Sequence, residues 1–157
     1  CEPQNTELLE TDIENDLDTG TQVQNFVFNR LDYKLWFEFR EHLEKIENLD
    51  KKYADVQLSK FEFAFRSSVE HYSPQHPMHG KDPIEGLDRF GNLCLISRSK
   101  NSELSNYTPN RKKEHYYDQS TIESLKQRLM MCYKEWDESS VEDHQGKMIK
   151  LLSTKTI

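Results

Sequence analysis

The segments EHYSPQ at residues 70–75, NLCLIS at 92–97 and KNSELSN at 100–106 decide how this chain can fold. Before them, phenylalanine alternates with other residues within 60–69, which is typical of a strand with one buried face. The first segment would lie at the end of this strand. The second segment is short and apolar, as in a buried strand. Prolines and glycines in residues 73–91 predict an irregular loop between the two strands.

The residues that follow the second strand favour a short helix. Ser99 is a candidate N-cap for a helix that carries Asn101. The basic residues 111–113 come next and are interpreted as a turn. The predicted order of elements is therefore strand, loop, strand and helix.

The rest of the chain favours longer helices. Apolar residues recur with helical spacing over residues 22–48, which predicts one long helix or two helices divided near Asn29. Two further helical patterns cover residues 122–136 and 141–152. The sequence therefore predicts the α+β class, with a small sheet in a mainly helical domain.

Charge is distributed unevenly along the chain. It has 28 Asp and Glu against 21 Lys and Arg, a formal net charge of -7, but residues 2–18 carry acidic side chains and no basic ones. We expect residues 1–20 to form an acidic linker or arm, because such a segment buries too little apolar surface to offset its ordering entropy. Residues 21–157 would form one domain centred on residues 60–113, with a neutral body that is compatible with binding to nucleic acid.

Other features of the sequence narrow the class of protein. The 3 cysteines are scattered without a CxxC pair, which is typical of buried or incidental thiols. No run of about 18 apolar residues could cross a bilayer, and the start lacks the order of a signal peptide. We expect a soluble, cytoplasmic protein without membrane contact. Because the sequence opens on Cys1 without a methionine, we also expect it either to be part of something longer or to lack its first residues.

Glu70, His71 and Asn101 offer the groups that hydrolysis of a phosphodiester bond requires. With one metal ion, this reaction needs a hard cation on the phosphate, oxygen ligands to hold the cation, and a base that activates water near neutral pH. Adjacent residues on a strand point to opposite faces. Glu70 and His71 can therefore share a site only if the strand ends or twists there, as residues 72–74 permit.

Residues 70–75, followed by Gly91-Asn92-Leu93 and by residues 100–106, resemble the core of an HNH (ββα-metal) endonuclease. They are similar to the nuclease domain at the C-terminal end of GmrSD-type modification-dependent restriction proteins. A more distant similarity is to the HNH domain of RNA-guided DNA-cutting effectors. The resemblance covers residues 67–106 well, and residues 29–36 and the closing helix more loosely. It implies a ββα-metal (HNH) hairpin embedded in the helical domain.

The resemblance implies a role for each residue of this motif. His71 would be the general base that takes a proton from the attacking water, and Asn92 would brace the loop between the strands. Glu70 and Asn101 would be the ligands of a divalent metal, Mg²⁺ or Mn²⁺. Many HNH enzymes have Asp at the position of Glu70 and a final His at that of Asn101, which leaves the preference for a metal open.

The resemblance also implies DNA as the substrate, a nick with a 5′-phosphate, and a place in a prokaryotic restriction system directed against phages. Nuclease domains of this kind usually follow a ParB-like NTPase domain, which we expect upstream in the full-length protein. Whether the target is modified DNA, plain DNA or RNA stays open.

Several further side chains have both a functional and a structural interpretation. Basic residues around the short helix could neutralise substrate phosphates, or they could form a solvated face: Arg98, Lys100, Arg111, Lys112 and Lys113. Two loop histidines could approach a phosphate or a second metal, or could be solvated: His76 and His79.

The sequence is also compatible with two alternatives to a nuclease. The first is a catalytically silent HNH fold that binds nucleic acid or a partner, which metal binding without cleavage would indicate. The second is a protein-interaction domain that docks through its acidic segment, in which case deletion of residues 1–20 would abolish partner binding.

Overall fold

A computed structural model describes residues 10–42, 60–104, 106–117 and 121–154. Within these ranges, a pair of short strands lies among six α-helices. The strands are β1 (Ser68–His71) and β2 (Leu93–Ile96). The helices are α1 (Glu10–Leu17), α2 (Asn25–His42), α3 (Arg98–Leu104), α4 (Pro109–Tyr117), α5 (Leu125–Met130) and α6 (Glu138–Ser153). No helix in these ranges is long and apolar enough to cross a membrane.

The two strands pair antiparallel, with His71 opposite Leu93. Every residue of β2 is buried, because both faces of the strand pair are covered. Leu93 and Leu95 pack in one apolar cluster with α2, α5 and α6, and Cys94 and Ile96 pack in a second cluster with α3 and α4. Burial of each such leucine or isoleucine contributes about 2 kcal/mol. The combination of helices with one small sheet has the predicted α+β class.

The first strand is shorter than the alternating phenylalanines predict. β1 begins at Ser68, and Phe61 is joined to Ile122 by a single parallel bridge. Phe63 and Phe65 are 58% and 91% exposed, so they do not form a buried strand face. The prediction was wrong because alternation favours extended backbone but does not supply a partner strand. In the described ranges, regular pairing starts only at Ser68.

Helix α2 runs without a break through Asn29. Phe28, Leu31 and Leu35 are buried at the spacing of a 3.6-residue period and pack in the same cluster as β2. The helix predicted from this spacing is therefore confirmed over the bounds of α2. Residues 43–48 of that prediction lie outside the described residues.

Residues 111–113 lie inside α4, so the prediction of a basic turn there was wrong. Pro109 occupies the first helical position, where its fixed φ and its missing N–H are tolerated. The preceding helix α3 begins one residue before Ser99. The Oγ atom of Ser97, rather than that of Ser99, accepts a hydrogen bond from the Lys100 amide at 3.3 Å.

The helix predicted over residues 122–136 is shorter than expected. It corresponds to α5, which ends at Met130, and Trp136 lies in the turn that follows. The next helix, α6, is capped by Asp137, whose carboxylate accepts a hydrogen bond from the Ser140 amide at 2.9 Å. The turn allows the Trp136 side chain to approach the loop between the strands.

The acidic segment is folded where the structure describes it, in contrast to the predicted linker or arm. Its helix α1 packs against α6, and Leu17 is buried in the core. Oδ1 of Asp18 accepts a hydrogen bond from the Phe90 amide at 3.1 Å. A few apolar anchors and a specific polar contact thus offset the ordering cost that composition alone suggests. Residues 1–9 lie outside the described residues.

Candidate functional site

His71 ends β1, and its ring atom Nε2 lies 2.7 Å from Oδ1 of Asp88. The His71 side chain is 10% exposed and that of Asp88 is 66% exposed, so the imidazole is largely enclosed while the carboxylate is open to solvent. A carboxylate at one ring nitrogen orients the ring and favours a proton on that nitrogen. Asp88 was missed at the level of sequence, because it lies in the irregular loop and no motif spacing marks it.

Asn92 lies directly before β2 and is fully buried, and its side chain contacts the loop between the strands and Trp136, which follows α5. Its Oδ1 accepts hydrogen bonds from the Ser73 amide and from Nε1 of Trp136, both at 2.9 Å. Its Nδ2 donates to the carbonyl oxygens of Ser73 at 3.1 Å and Leu87 at 2.9 Å. These bonds connect both ends of the loop. A catalytic role for Asn92 stays a prediction.

Glu70 is buried on the other face of β1 from His71, as the alternation of a strand requires. Its Oε1 lies 2.8 Å from Nζ of Lys112, and its Oε2 accepts a hydrogen bond from Nε2 of Gln127 at 2.8 Å. Burial raises the pKa of Glu70, and the positive charge of Lys112 opposes that shift. The carboxylate is therefore engaged inside the fold.

Lys112 is fully buried and holds the end of β1 from helix α4. Besides the contact with Glu70, its Nζ donates hydrogen bonds to the carbonyl oxygens of His71 at 2.7 Å and Tyr72 at 3.1 Å. The prediction that Lys112 neutralises a substrate phosphate is wrong in this structure, because the ammonium group has no access to the surface. Local sequence does not reveal that a lysine in a basic cluster is buried.

Asn101 lies on α3, and its Nδ2 donates a hydrogen bond to Oγ of Ser68 at 2.6 Å. The predicted metal ligands, Glu70 and Asn101, do not form an open cation site, because Glu70 is 1% exposed and paired with Lys112. Among the described residues there is also no group of three or more His, Cys, Asp or Glu that could hold a metal ion. The residues predicted for the metal thus do not fit it as they are placed.

The other basic candidates lie nearer the surface than Lys112. Lys113 is half-buried and donates to the carbonyl oxygen of Tyr133. Lys100 forms an ion pair with Glu103 at 3.3 Å, and Arg98 is exposed. Two loop histidines are also exposed: His76 and His79.

The turn that leads into β2 is fixed by a buried lysine. Nζ of Lys126 donates to the carbonyl oxygens of Phe90 at 2.9 Å and Gly91 at 3.3 Å. The Lys126 amide in turn donates to Oδ1 of Asp32 at 3.0 Å. Burial lowers the pKa of Lys126 to about 7 and raises that of Asp32 to about 7. The backbone beside Asn92 is therefore held by groups from α2 and α5.

Gly91 in the same turn lies directly against α6. Its amide donates to Oε1 of Gln145 at 2.8 Å. A Cβ atom added at Gly91 would lie 2.3 Å from the carbonyl oxygen of Val141, which no side chain tolerates. Nε2 of Gln145 donates to Oε1 of Glu14 at 2.8 Å, so the turn, α6 and α1 form one connected unit.

Residues 7–151 match a family model described as GmrSD restriction endonucleases, C-terminal domain. Neither the curated proteins nor the solved structures contain a match to the chain. The matched range includes both strands and all the side chains of the site described above.

Proposed function

This chain belongs to the family of GmrSD restriction endonuclease C-terminal domains, and on that premise we propose that it cleaves phosphodiester bonds in DNA with His71 as the general base. Membership makes it a restriction-type nuclease domain. The observation that supports the role of His71 is its placement at the end of β1, 2.7 Å from the Asp88 carboxylate. The chemistry assigned to it is the abstraction of a proton from the attacking water.

The contact between His71 and Asp88 suits this task. When Nε2 carries the proton shared with Asp88, Nδ1 is the basic nitrogen of the neutral ring. As the ring accepts a second proton, the carboxylate stabilises the imidazolium that forms. General acid–base catalysis by a positioned side chain raises the reaction rate by a factor of about 10² to 10⁴.

The order β1, loop, β2 and α3 supports interpretation of this segment as an HNH hairpin. The Asn101 bond to Ser68 ties α3 to β1, and the bonds of Asn92 close the loop. We assign the bracing of the loop to Asn92 within the proposal. The exposed Arg98 and the half-buried Lys100 stay proposed contacts to substrate phosphates.

Dependence on a divalent cation, Mg²⁺ or Mn²⁺, belongs to the proposal, because such an ion neutralises charge that develops on a phosphoryl oxygen. Glu70 and Asn101 do not present an open site for it, so no step is assigned to these ligands. A 5′-phosphate product, a cytoplasmic location and an upstream ParB-like NTPase domain are further parts of the proposal. The family match concerns the C-terminal domain and gives no support for the NTPase domain.

The test is cleavage of supercoiled plasmid, with and without hydroxymethylcytosine, in Mg²⁺ or Mn²⁺. We expect nicking that EDTA abolishes and that His71→Ala lowers by about 10² or more. His76→Ala, which changes an exposed loop histidine, serves as the matched control and should cleave like the parent chain. Equal cleavage by His71→Ala and His76→Ala would contradict the role of His71.

One observation favours a second candidate, a silent HNH fold that binds without cutting. The carboxylate predicted to hold the metal is buried and paired with Lys112. This candidate predicts retention of plasmid DNA in a gel-shift assay with no nicking under any of the metal conditions. Nicking that requires His71 excludes it.

A further inference from the structure

Three acceptors surround the ammonium group of Lys112. They are Oε1 of Glu70 at 2.8 Å, the carbonyl oxygen of His71 at 2.7 Å and that of Tyr72 at 3.1 Å. The two carbonyl contacts are hydrogen bonds, and the contact with the carboxylate is an ion pair. The Lys112 side chain is fully buried, so its ammonium group holds the backbone and does not reach a substrate at the surface.

The two carbonyl groups belong to the residues at which β1 ends. His71 is the last residue in register with β2, and the Tyr72 amide donates to the carbonyl oxygen of Asn92 at 2.8 Å. Lys112 reaches this point from α4, outside the strand pair. It therefore fixes the backbone that carries the His71 ring, independently of the sheet.

Glu70 supplies the charge that allows a lysine to be buried here. A buried ammonium without a counter-ion is strongly destabilising, and the two side chains are 0% and 1% exposed. The second oxygen of Glu70 is held by Gln127 from α5 at 2.8 Å. Both oxygens of the carboxylate are thus committed to partners of the protein itself.

From these contacts we infer that Glu70 and Lys112 are positioning residues for His71, and that Glu70 is not a metal ligand. The inference rests on the proposed function of His71. Lys112 fixes the position and direction of the His71 backbone at the end of β1, and the ion pair with Glu70 holds the Lys112 side chain in place. A change in the pair acts on catalysis through the orientation of the imidazole.

The experiment uses a double variant, Glu70→Gln with Lys112→Met, which removes both charges and leaves no buried ion unpaired. The control pairs Glu114→Gln with Lys134→Met, two exposed positions on α4 and in the turn after α5. Each protein is assayed for kcat, for KM with plasmid DNA, and for the concentration of Mn²⁺ that gives half-maximal activity. Mn²⁺ affinity without DNA is measured by calorimetry, and the His71 ring resonances are followed by NMR.

We expect the double variant to lose about tenfold or more in kcat, while KM changes by less than about twofold. Its Mn²⁺ affinity and Mn²⁺ requirement should equal those of the control, and higher Mn²⁺ should not restore activity. The His71 ring resonances should shift, whereas those of His76 should not. This combination separates positioning from a general loss of stability.

Other outcomes overturn the inference. A rise of about tenfold in the Mn²⁺ requirement, with activity restored at high Mn²⁺, would make Glu70 a metal ligand. An unchanged kcat, or unshifted His71 resonances, would exclude positioning. If the double variant does not fold, Glu70→Gln alone, which keeps an oxygen near Lys112, is put through the same measurements. A parent chain that does not nick DNA refutes the proposed function, and the NMR comparison then decides the positioning by itself.

Discussion

Nε2 of His71 and Oδ1 of Asp88 are 2.7 Å apart, and the open carboxylate can be altered without disturbing the core. We predict that Asp88→Asn lowers kcat by about tenfold or more, since the amide cannot stabilise an imidazolium by charge. KM for DNA should change little. Asp82→Asn, at another exposed loop position, is the control, and equal kcat values for the two variants would exclude Asp88 from the reaction.

Gly91 is the residue whose substitution the packing tolerates least. In Gly91→Ala, the new Cβ would meet the carbonyl oxygen of Val141 at 2.3 Å, so the turn or α6 must shift. We predict a loss of about 1 to 3 kcal/mol in the free energy of unfolding, measured by urea denaturation. Gly146→Ala on α6 has open space and should instead stabilise by about 0.5 to 1 kcal/mol. A stable Gly91→Ala protein would show that the turn is less tightly packed.

Residue-level prediction from sequence succeeded where a local motif carried the information. The motif identified the family to which the chain belongs, through the segments that contain His71 and Asn92. Prediction from sequence missed Asp88 and Lys126. Their partners, His71 and the Phe90 carbonyl group, are brought close to them only by the fold. Prediction from sequence also misplaced Lys112 on the surface, because the nearby basic residues gave no sign that Glu70 would pair with it in the core.

At the scale of elements, α6 carries a titratable group in the core. Burial lowers the pKa of His144 well below its ordinary value, so the ring is neutral in the folded chain. In the unfolded chain it binds a proton below a pH of about 6.5. The unfolded state then holds more protons, and the free energy of unfolding falls by about 1.4 kcal/mol for each pH unit below that point.

We predict that His144→Phe reduces this acid sensitivity relative to the parent chain. Asp32 has the opposite effect on the free energy of unfolding as the pH falls. Its pKa is raised to about 7, so the folded state binds the extra proton. The difference between variant and parent in urea unfolding, from pH 7.5 down to about 5, therefore isolates the histidine. His76→Phe, at an exposed position, should leave the pH dependence unchanged. Parallel curves for parent and His144→Phe would contradict the prediction.

Elements were predictable where the periodic pattern agreed with the tertiary environment. β2 and α2 are apolar along the faces that the core covers, so their sequences and surroundings agree. The alternating phenylalanines before β1 meet no partner strand in the described ranges, and α4 is held by the buried Lys112 despite its polar sequence. Neither circumstance can be read from a local window of sequence.

At the scale of the whole molecule, the acidic segment is bonded to the turn before β2 and to α6. Oδ1 of Asp18 accepts a hydrogen bond from the Phe90 amide at 3.1 Å, and Oδ2 of Asp18 accepts one from Nε2 of Gln145 at 3.2 Å. We predict that Asp18→Ala lowers the free energy of unfolding by about 1 to 3 kcal/mol, because a partly buried amide loses its acceptor. Thermal unfolding monitored by circular dichroism checks this. Asp16→Ala, at an exposed position of α1, is the control, and equal midpoints would mean that the two Asp18 hydrogen bonds contribute no stability.

The link between Gly91 and Gln145 also determines the order in which the molecule can be completed during synthesis. The turn at Phe90–Asn92 leaves the ribosome before α6 does. Gln145 of α6 accepts the hydrogen bond from the Gly91 amide in that turn. Until then the Gly91 amide lacks its Gln145 acceptor, and the strand pair lacks its packing against α6. The turn beside His71 is therefore fixed only after α6 has been synthesised, and a nascent chain stalled before α6 would carry residues 70–106 without the Gln145 contact to Gly91.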